Sequence, residues 1–93
     1  MKNDNGIKIV QSARFLKSAK KLPASILKKA EAGDALFRKD PFDLKLRTHK
    51  LHGPLGGFYA YSVDRRHRII FSFQDSKTIV YHEIGTHRVY GAE

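Results

Sequence analysis

Three short segments rich in β-branched and aromatic residues follow one another in the second half of the chain, and they constrain the fold more than any other feature. They span residues 58–64, 68–73 and 78–84. The connections RRH and QDSK between them are short, so neighbouring segments should pair as an antiparallel meander. Residues 44–51 alternate leucine with basic residues and are predicted to form a further strand.

The first half of the chain carries helical patterns after a short predicted strand at residues 7–12. Ser12 can cap a helix, and Pro23 ends that helix and can start the next one. Asp40-Pro41 ends the second helix. The apolar residues that share one helical face are Phe15, Leu16, Ala19 and Leu22 in the first helix and Ile26, Ala30, Gly33 and Phe37 in the second.

The order β-α-α-β-β-β-β predicts an α+β fold, in which a short N-terminal strand precedes two helices packed on one face of a mainly antiparallel sheet of four to five strands. A chain of 93 residues has room for one core, so residues 1–93 are expected to form a single domain. Alternation directs Ile69, Phe71 and Phe73 toward the helices and places Arg68 at the start of the opposite, open face. The helix residues expected against this core face are Phe15, Leu16, Ile26 and Phe37.

The chain is strongly basic, because 18 Lys and Arg against 9 Asp and Glu give a net charge of +9. Such an excess on so small a protein favours a polyanionic partner, either a nucleic acid or an acidic protein. The absence of cysteine excludes disulfides and thiolate zinc sites. No segment approaches the ~20 apolar residues of a membrane span, and the N-terminus has no apolar signal region. A cytoplasmic protein without membrane contact is expected.

The stretch YHEIGTHRVYG, residues 81–91, resembles a zinc-protease motif that is one residue too long. His82 and His87 are five residues apart in the chain, so on a helix they would diverge by about 140°. On a continuous strand they would lie on opposite faces. No set of three ligands is evident among the histidines either. We therefore expect no metal site and no cofactor.

Two histidines are better candidates for acid–base chemistry than the others: His49, and His87 just after a glycine at a strand end. RNA carries its own nucleophile, the 2′-OH, so its cleavage requires only a base, an acid and cations for the phosphate. Two histidines can divide the acid and base roles near neutral pH, and Arg68 can hold the phosphate. The remaining histidines have simpler interpretations. His82 is expected to be packed, His52 to be solvated and His67 to belong to a basic loop.

Several stretches resemble the RelE/ParE superfamily of toxin–antitoxin toxins, nearest the RelE and YafQ branch. The most specific are HKLHGPLGGFYAYSV, RIIFSF and IGTHRVY, and the resemblance covers residues 7–91. It implies a small α+β toxin that cuts mRNA in the ribosomal A site by 2′-OH attack and so inhibits translation. The products would be a 2′,3′-cyclic phosphate and a 5′-OH. The resemblance also implies a cognate acidic antitoxin that neutralises the toxin in a hetero-oligomer.

The resemblance further implies roles for individual residues. His49 matches a position where family members have a catalytic His or Glu, and Arg68 matches the arginine that grips the scissile phosphate. His87 matches the general acid, and Tyr90 matches a tyrosine that stacks on or orients a base. Additional RNA or phosphate contacts are expected from Lys50, Arg65, Arg66 and Arg88, although a solvated basic face explains the first three equally well.

The chain departs from the YafQ pattern at two positions. Ser62 stands where that branch has a histidine, and Arg66 stands where it has an aspartate, whereas Arg68 is a RelE-like element. A mixed site is therefore expected, and either His49 or a lysine can be its base. Two other functions stay open: a ParE-type toxin that inhibits DNA gyrase without cutting RNA, and a basic binding module without toxicity.

Overall fold

The computed structural model describes residues 6–86, and its elements follow the predicted order. The strands are β1 (Lys8–Gln11), β2 (His49–Lys50), β3 (Tyr59–Ser62), β4 (Arg68–Phe73) and β5 (Thr78–Gly85), and the helices are α1 (Ala13–Lys20) and α2 (Ala24–Lys39). One sheet contains the five strands in the order β1-β5-β4-β3-β2. β1 runs parallel to β5, and the other neighbours pair antiparallel. The predicted α+β fold is confirmed. No helix within residues 6–86 has the length and apolar character that crossing a bilayer requires.

The helix boundaries lie where the capping residues predict them. The Ser12 hydroxyl accepts a hydrogen bond from the Phe15 N–H at 3.0 Å, so it satisfies one free donor at the start of α1. Pro23 takes an extended conformation directly before α2, and Asp40 ends that helix in an extended conformation. All three signals were visible in the sequence.

The core forms between α2 and the sheet around Phe37, which is fully buried. Its ring stacks on Tyr61 with ring centroids 4.7 Å apart and meets the ring of Phe71 edge-on at 4.9 Å. Gly33 lies one turn earlier in α2, where an added Cβ would sit 3.4 Å from the Tyr61 ring. The helix backbone therefore lies close to the Tyr61 ring at this position.

A chain of hydrogen bonds runs through this core from the sheet to α2. The Tyr81 hydroxyl donates to the Asp34 carboxylate at 2.7 Å, and the Arg38 guanidinium donates to the same carboxylate at 2.8 Å. Because Tyr81 uses its only proton on Asp34, Tyr61 must donate to Tyr81, whose hydroxyl oxygen lies 2.8 Å away. Burial raises the pKa of both tyrosines well above the ordinary value, so both stay neutral.

β5 contains a bulge opposite the middle of β4. Ile70 pairs with Glu83, but the next residue, Phe71, pairs with Tyr81, so His82 is an extra residue without a partner in β4. The bulge places His82 and Glu83 on the same face of the sheet, opposite the helices. Strict alternation along β5 would place His82 and Ile84 on one face, but Ile84 is buried in the helix-covered core.

α1 takes the place of a strand beside the end of β5. β1 ends at Gln11, and beyond it the Ser12 N–H donates to the Tyr81 carbonyl at 3.1 Å. The Ser12 hydroxyl donates to the His82 carbonyl at 3.3 Å. The Ile84 N–H donates to the Ser18 hydroxyl at 3.0 Å. Side chains of a helix thus satisfy the edge of β5 where no strand covers it.

The predicted strand at residues 44–51 is wrong over most of its length. Residues Leu44–Leu46 form a 3₁₀ turn, and only β2 is extended. Asp43 starts the turn, because its side chain accepts from the Lys45 N–H at 2.9 Å. Leu44 and Leu46, which a strand would place on one face, are 92% and 2% exposed.

The predicted core face is correct at its centre and wrong at its rim. Ile69 and Phe71 are buried in the same cluster as Phe15 and Phe37. Leu16, however, is 48% exposed, and Phe73 and Ile26 are only half-buried. The opposite face is not uniformly open either: Ile70 is only 4% exposed, and the bulge adds side chains around it.

Ser18→Ala should lower the free energy of unfolding by about 1–3 kcal/mol, because it leaves the part-buried Ile84 N–H without an acceptor. Ser25→Ala, at the exposed start of α2, should change it by less than about 0.5 kcal/mol. Urea unfolding followed by circular dichroism measures both values. Equal effects of the two substitutions would contradict the role assigned to Ser18.

Candidate functional site

Arg68 begins β4 on the sheet face opposite the helices. It pairs with Ser62 of β3 and with Gly85 of β5. Its side chain is half-buried and turns toward the β3–β4 hairpin, where Nη1 donates to three backbone carbonyls: Asp64 at 3.0 Å, Arg65 at 3.3 Å and His67 at 3.2 Å. Within residues 6–86, Nε and Nη2 make no hydrogen bond. One edge of the guanidinium is thus fixed, and the other can accept a ligand.

Asp64 organises the hairpin that holds Arg68. Its Oδ1 accepts from the backbone N–H groups of Arg66 at 2.9 Å and His67 at 2.7 Å, and from His67 Nδ1 at 3.0 Å. Burial raises the pKa of this carboxyl, but the hydrogen bonds outweigh burial and lower the pKa to about 2. Asp64 therefore stays ionised, and its other oxygen lies 3.9 Å from Lys29 Nζ on α2.

A polar cleft of about 420 Å³ opens beside Arg68. It is lined by Lys45, Arg47, Ser62, Asp64, Arg65 and Arg68. Four of these side chains are cationic and one is anionic, so the cleft favours an anionic ligand. Its volume lies near the lower end of the roughly 300–1,000 Å³ typical of ligand pockets.

His49 lies on the same sheet face as Arg68, but it does not line the cleft. It pairs with Ala60, which in turn pairs with Ile70 two residues along β4 from Arg68. His49 Nδ1 lies 2.9 Å from the Arg47 carbonyl oxygen. A carbonyl can only accept, so Nδ1 carries the proton and Nε2 of the neutral ring keeps its lone pair. The exposed imidazole is therefore arranged to take a proton through Nε2.

The other predicted phosphate contacts separate into two groups. Arg65 lines the cleft, and Arg66 is exposed in the same hairpin. Lys50 pairs with Tyr59, whose ring stacks on Phe71 of the core, so Lys50 belongs to the helix side of the sheet. His87, Arg88 and Tyr90 lie outside the described residues.

His82 occupies the packed position expected of it, on the face opposite the helices. Its Nε2 lies 2.7 Å from the Ser72 hydroxyl, and its ring centroid lies 4.9 Å from that of Phe58. Burial lowers the pKa of His82, and the charge of Arg14 lowers it further. These contacts account for a neutral, structural histidine.

The sequence analysis missed two cleft residues, Lys45 and Arg47. Both lie in the segment wrongly predicted as a strand, where alternation gave them no shared direction. The signal that could have found them is Asp43, a turn-forming residue two positions after Pro41. Between residues 6 and 86, no three His, Asp or Glu side chains lie close enough together to hold a metal ion.

Comparison with known proteins finds similarity at the level of structure. No family model matches the chain, and no curated protein matches its sequence. YafQ from Escherichia coli shares 18% identity over 92% of this chain and 99% of its own, with a TM-score of 0.76. A YoeB/ParE toxin from Agrobacterium tumefaciens shares 14% over 87% of this chain and 99% of its own, with a TM-score of 0.72. A chain of the toxin–antitoxin complex RelBE2 from Mycobacterium tuberculosis shares 19% over 87% of this chain and 98% of its own, with a TM-score of 0.69.

Asp64→Asn should destabilise the protein at neutral pH, and the difference from wild type should shrink as the pH falls from about 4 toward about 2. The folded-state pKa of about 2 lies below the ordinary aspartate value of 3.8, so the ionised carboxylate stabilises the fold above the unfolded pKa. That contribution is lost as the pH falls through the folded pKa. Denaturant unfolding across this pH range measures the effect, and a difference independent of pH would refute it.

Asp75→Asn is the matched control for the site. Asp75 caps the β4–β5 hairpin by the same chemistry, accepting from the N–H groups of Lys77 at 2.9 Å and Thr78 at 2.8 Å. It is not among the residues that line the cleft. Only Asp64→Asn should also weaken binding of an anionic ligand, because only Asp64 orders the hairpin whose backbone carbonyls fix Arg68.

Proposed function

The chain has the fold of the RelE and YafQ toxins, and from this premise we propose that it is the toxin of a type II toxin–antitoxin system. Its proposed activity is ribosome-dependent cleavage of mRNA in the A site, which stops translation. The reaction is attack of a 2′-OH on the adjacent phosphate, giving a 2′,3′-cyclic phosphate and a 5′-OH. It takes place in the cytoplasm and uses side chains of the toxin alone.

The observation that carries the proposal is the cationic cleft beside Arg68. A guanidinium fixed along one edge and free along the other can bind two phosphate oxygens at once. Charge builds up on those oxygens as the fifth bond to phosphorus forms. Donors already held in place stabilise that charge without reorganising. Arg68 is held in this way by the hairpin carbonyls.

His49 is the proposed general base. The hydrogen bond from Nδ1 to the Arg47 carbonyl leaves Nε2 free to take the 2′ proton. β2 and β4 lie two strand spacings apart, about 10 Å, and His49 is offset from Arg68 by two residues, about 7 Å along the strands. The side chains of Arg68 and His49 can approach one phosphodiester from opposite sides. An RNA strand would therefore run from the cleft toward β2.

His87 is the proposed general acid, and Tyr90 the residue that stacks on or orients a base. Support for His87 comes from the register, because Gly85 is the residue of β5 that pairs with Arg68, and His87 follows it by two positions in the sequence. Arg65, Arg66 and Arg88 are proposed to make further phosphate contacts.

The proposed partner is a cognate acidic antitoxin, which fits the net charge of +9. Apart from the cleft, a mainly apolar groove of about 270 Å³ runs between the two helices, with Leu16, Leu27 and Ala30 among its lining residues. An antitoxin segment can cover this groove with apolar side chains, and acidic residues elsewhere in the antitoxin can meet the excess positive charge of the protein. The complex would be a hetero-oligomer.

Arg68→Gln should reduce the rate of mRNA cleavage on translating ribosomes by about 10²–10³, the typical effect of removing one preorganised donor to a developing anion. Arg68→Lys should recover only part of that loss, since a lysine keeps the charge but not the two-pronged geometry. His49→Gln should lower the rate by about 10²–10⁴. Mapping of mRNA 5′ ends after induction measures all three effects.

Lys28→Gln, a change at an exposed position of α2, is the control and should cleave like wild type. The Arg68 variants should still bind the antitoxin, because the groove lies on the helix side of the sheet and Arg68 faces the other side. Full toxicity of Arg68→Gln without new mRNA ends, together with inhibited supercoiling by DNA gyrase, would reject this proposal in favour of a ParE-type toxin.

A further inference from the structure

Lys45 and Arg47 form a second cationic wall of the cleft, which the 3₁₀ turn supplies and the mechanism above does not use. Neither side chain forms an ion pair with another described residue. Among the described residues that line the cleft, the one acid is Asp64, which already holds the hairpin with one oxygen and faces Lys29 with the other. Two cations thus face the cleft with no carboxylate assigned to neutralise them.

The backbone of Arg47 is a second, independent observation. Its φ is 54°, which makes it the single non-glycine residue with positive φ among those described. Asparagine and glycine adopt this left-handed conformation more easily than arginine does. An unfavourable conformation retained at a cleft is a reason to look for function there. At this position the conformation directs the Arg47 side chain to the cleft and its carbonyl to His49.

We propose that the wall formed by Lys45 and Arg47 binds a second phosphate of single-stranded RNA, adjacent to the phosphate held by Arg68. The inference rests on the proposed function, since it names how the same site holds its substrate. Arg68 acts on the reacting phosphate, whereas the wall holds the neighbouring nucleotide and sets the path of the strand. Loss of the wall should therefore weaken RNA binding more than it slows the chemical step.

The test is the double variant Lys45→Gln/Arg47→Asn, in which asparagine keeps the left-handed backbone accessible while the charge is removed. The charge-matched control is Lys20→Gln/Lys28→Gln, at exposed positions of the two helices. The probe is a short single-stranded RNA with every 2′-OH methylated, which binds but cannot be cut. Fluorescence anisotropy of the full-length proteins at several salt concentrations gives the affinity and its salt dependence.

The double variant should bind this RNA roughly tenfold more weakly at physiological salt, and the slope of log affinity against log salt should fall by about 0.7, the value for one lost phosphate contact on a single strand. The control should bind like wild type. On translating ribosomes the double variant should show a raised KM and a kcat close to that of wild type. Thermal unfolding midpoints close to wild type verify that the variant is folded.

Three outcomes would overturn the inference. In the first, the double variant matches the control in RNA affinity and in its salt dependence. If Arg68→Gln still prevents efficient cleavage, the proposed function survives without the wall. In the second, affinity for polyglutamate falls while RNA affinity does not, which assigns the wall to an acidic protein. In the third, the wild type binds RNA without salt dependence. Failure of the proposed function is read separately, from the absence of mRNA cleavage by the wild type.

Discussion

The hydrogen-bond chain from Tyr61 through Tyr81 to Asp34 is the interaction on which the remaining architecture depends. It joins α2 to β3 and β5, the two strands that flank β4. Its direction is unambiguous, because the carboxylate accepts and each hydroxyl has one proton to give. Burial raises the pKa of both tyrosines, so both remain neutral in the core. With α2 attached in this way, one face of β4 is sealed and the other faces away from the helices.

That division of the sheet into two faces creates the candidate site. Arg68 begins β4 on the face without helices, and the Asp64 hairpin fixes its guanidinium through backbone carbonyls. The bulge at His82 and the two serines of α1 fix the end of β5, whose last residue, Gly85, pairs with Arg68. The site therefore combines a rigid strand end with a turn-derived wall, an arrangement that suits a long flexible anion better than a compact ligand.

The parts of the fold that follow local rules could be predicted from the sequence. The meander, the Ser12 cap and the placement of Arg68 opposite the core all follow from periodicity and capping chemistry. The bulge could not be predicted, because an extra residue in β5 leaves no mark in an alternating pattern. As a result of the bulge, Ile84 lies on the opposite face of the sheet from His82. The cleft wall was missed because alternating leucines indicated a strand, whereas the hydrogen bond from the Lys45 N–H to the Asp43 carboxylate stabilises a turn. The roles of His49 and Arg68 came from acid–base chemistry and from the resemblance, and the hydrogen bonds of both side chains support the proposed function.

The central claim is that this face cuts RNA by attack of the substrate's own 2′-OH. The most direct measurement uses ribosomes programmed with an mRNA that carries a single 2′-deoxy nucleotide immediately 5′ of the mapped cut. The account predicts that wild-type protein leaves this bond intact while cutting the all-ribose mRNA to a 2′,3′-cyclic phosphate and a 5′-OH. Equal cleavage of the two mRNAs, or products ending in a 5′-phosphate, would contradict it.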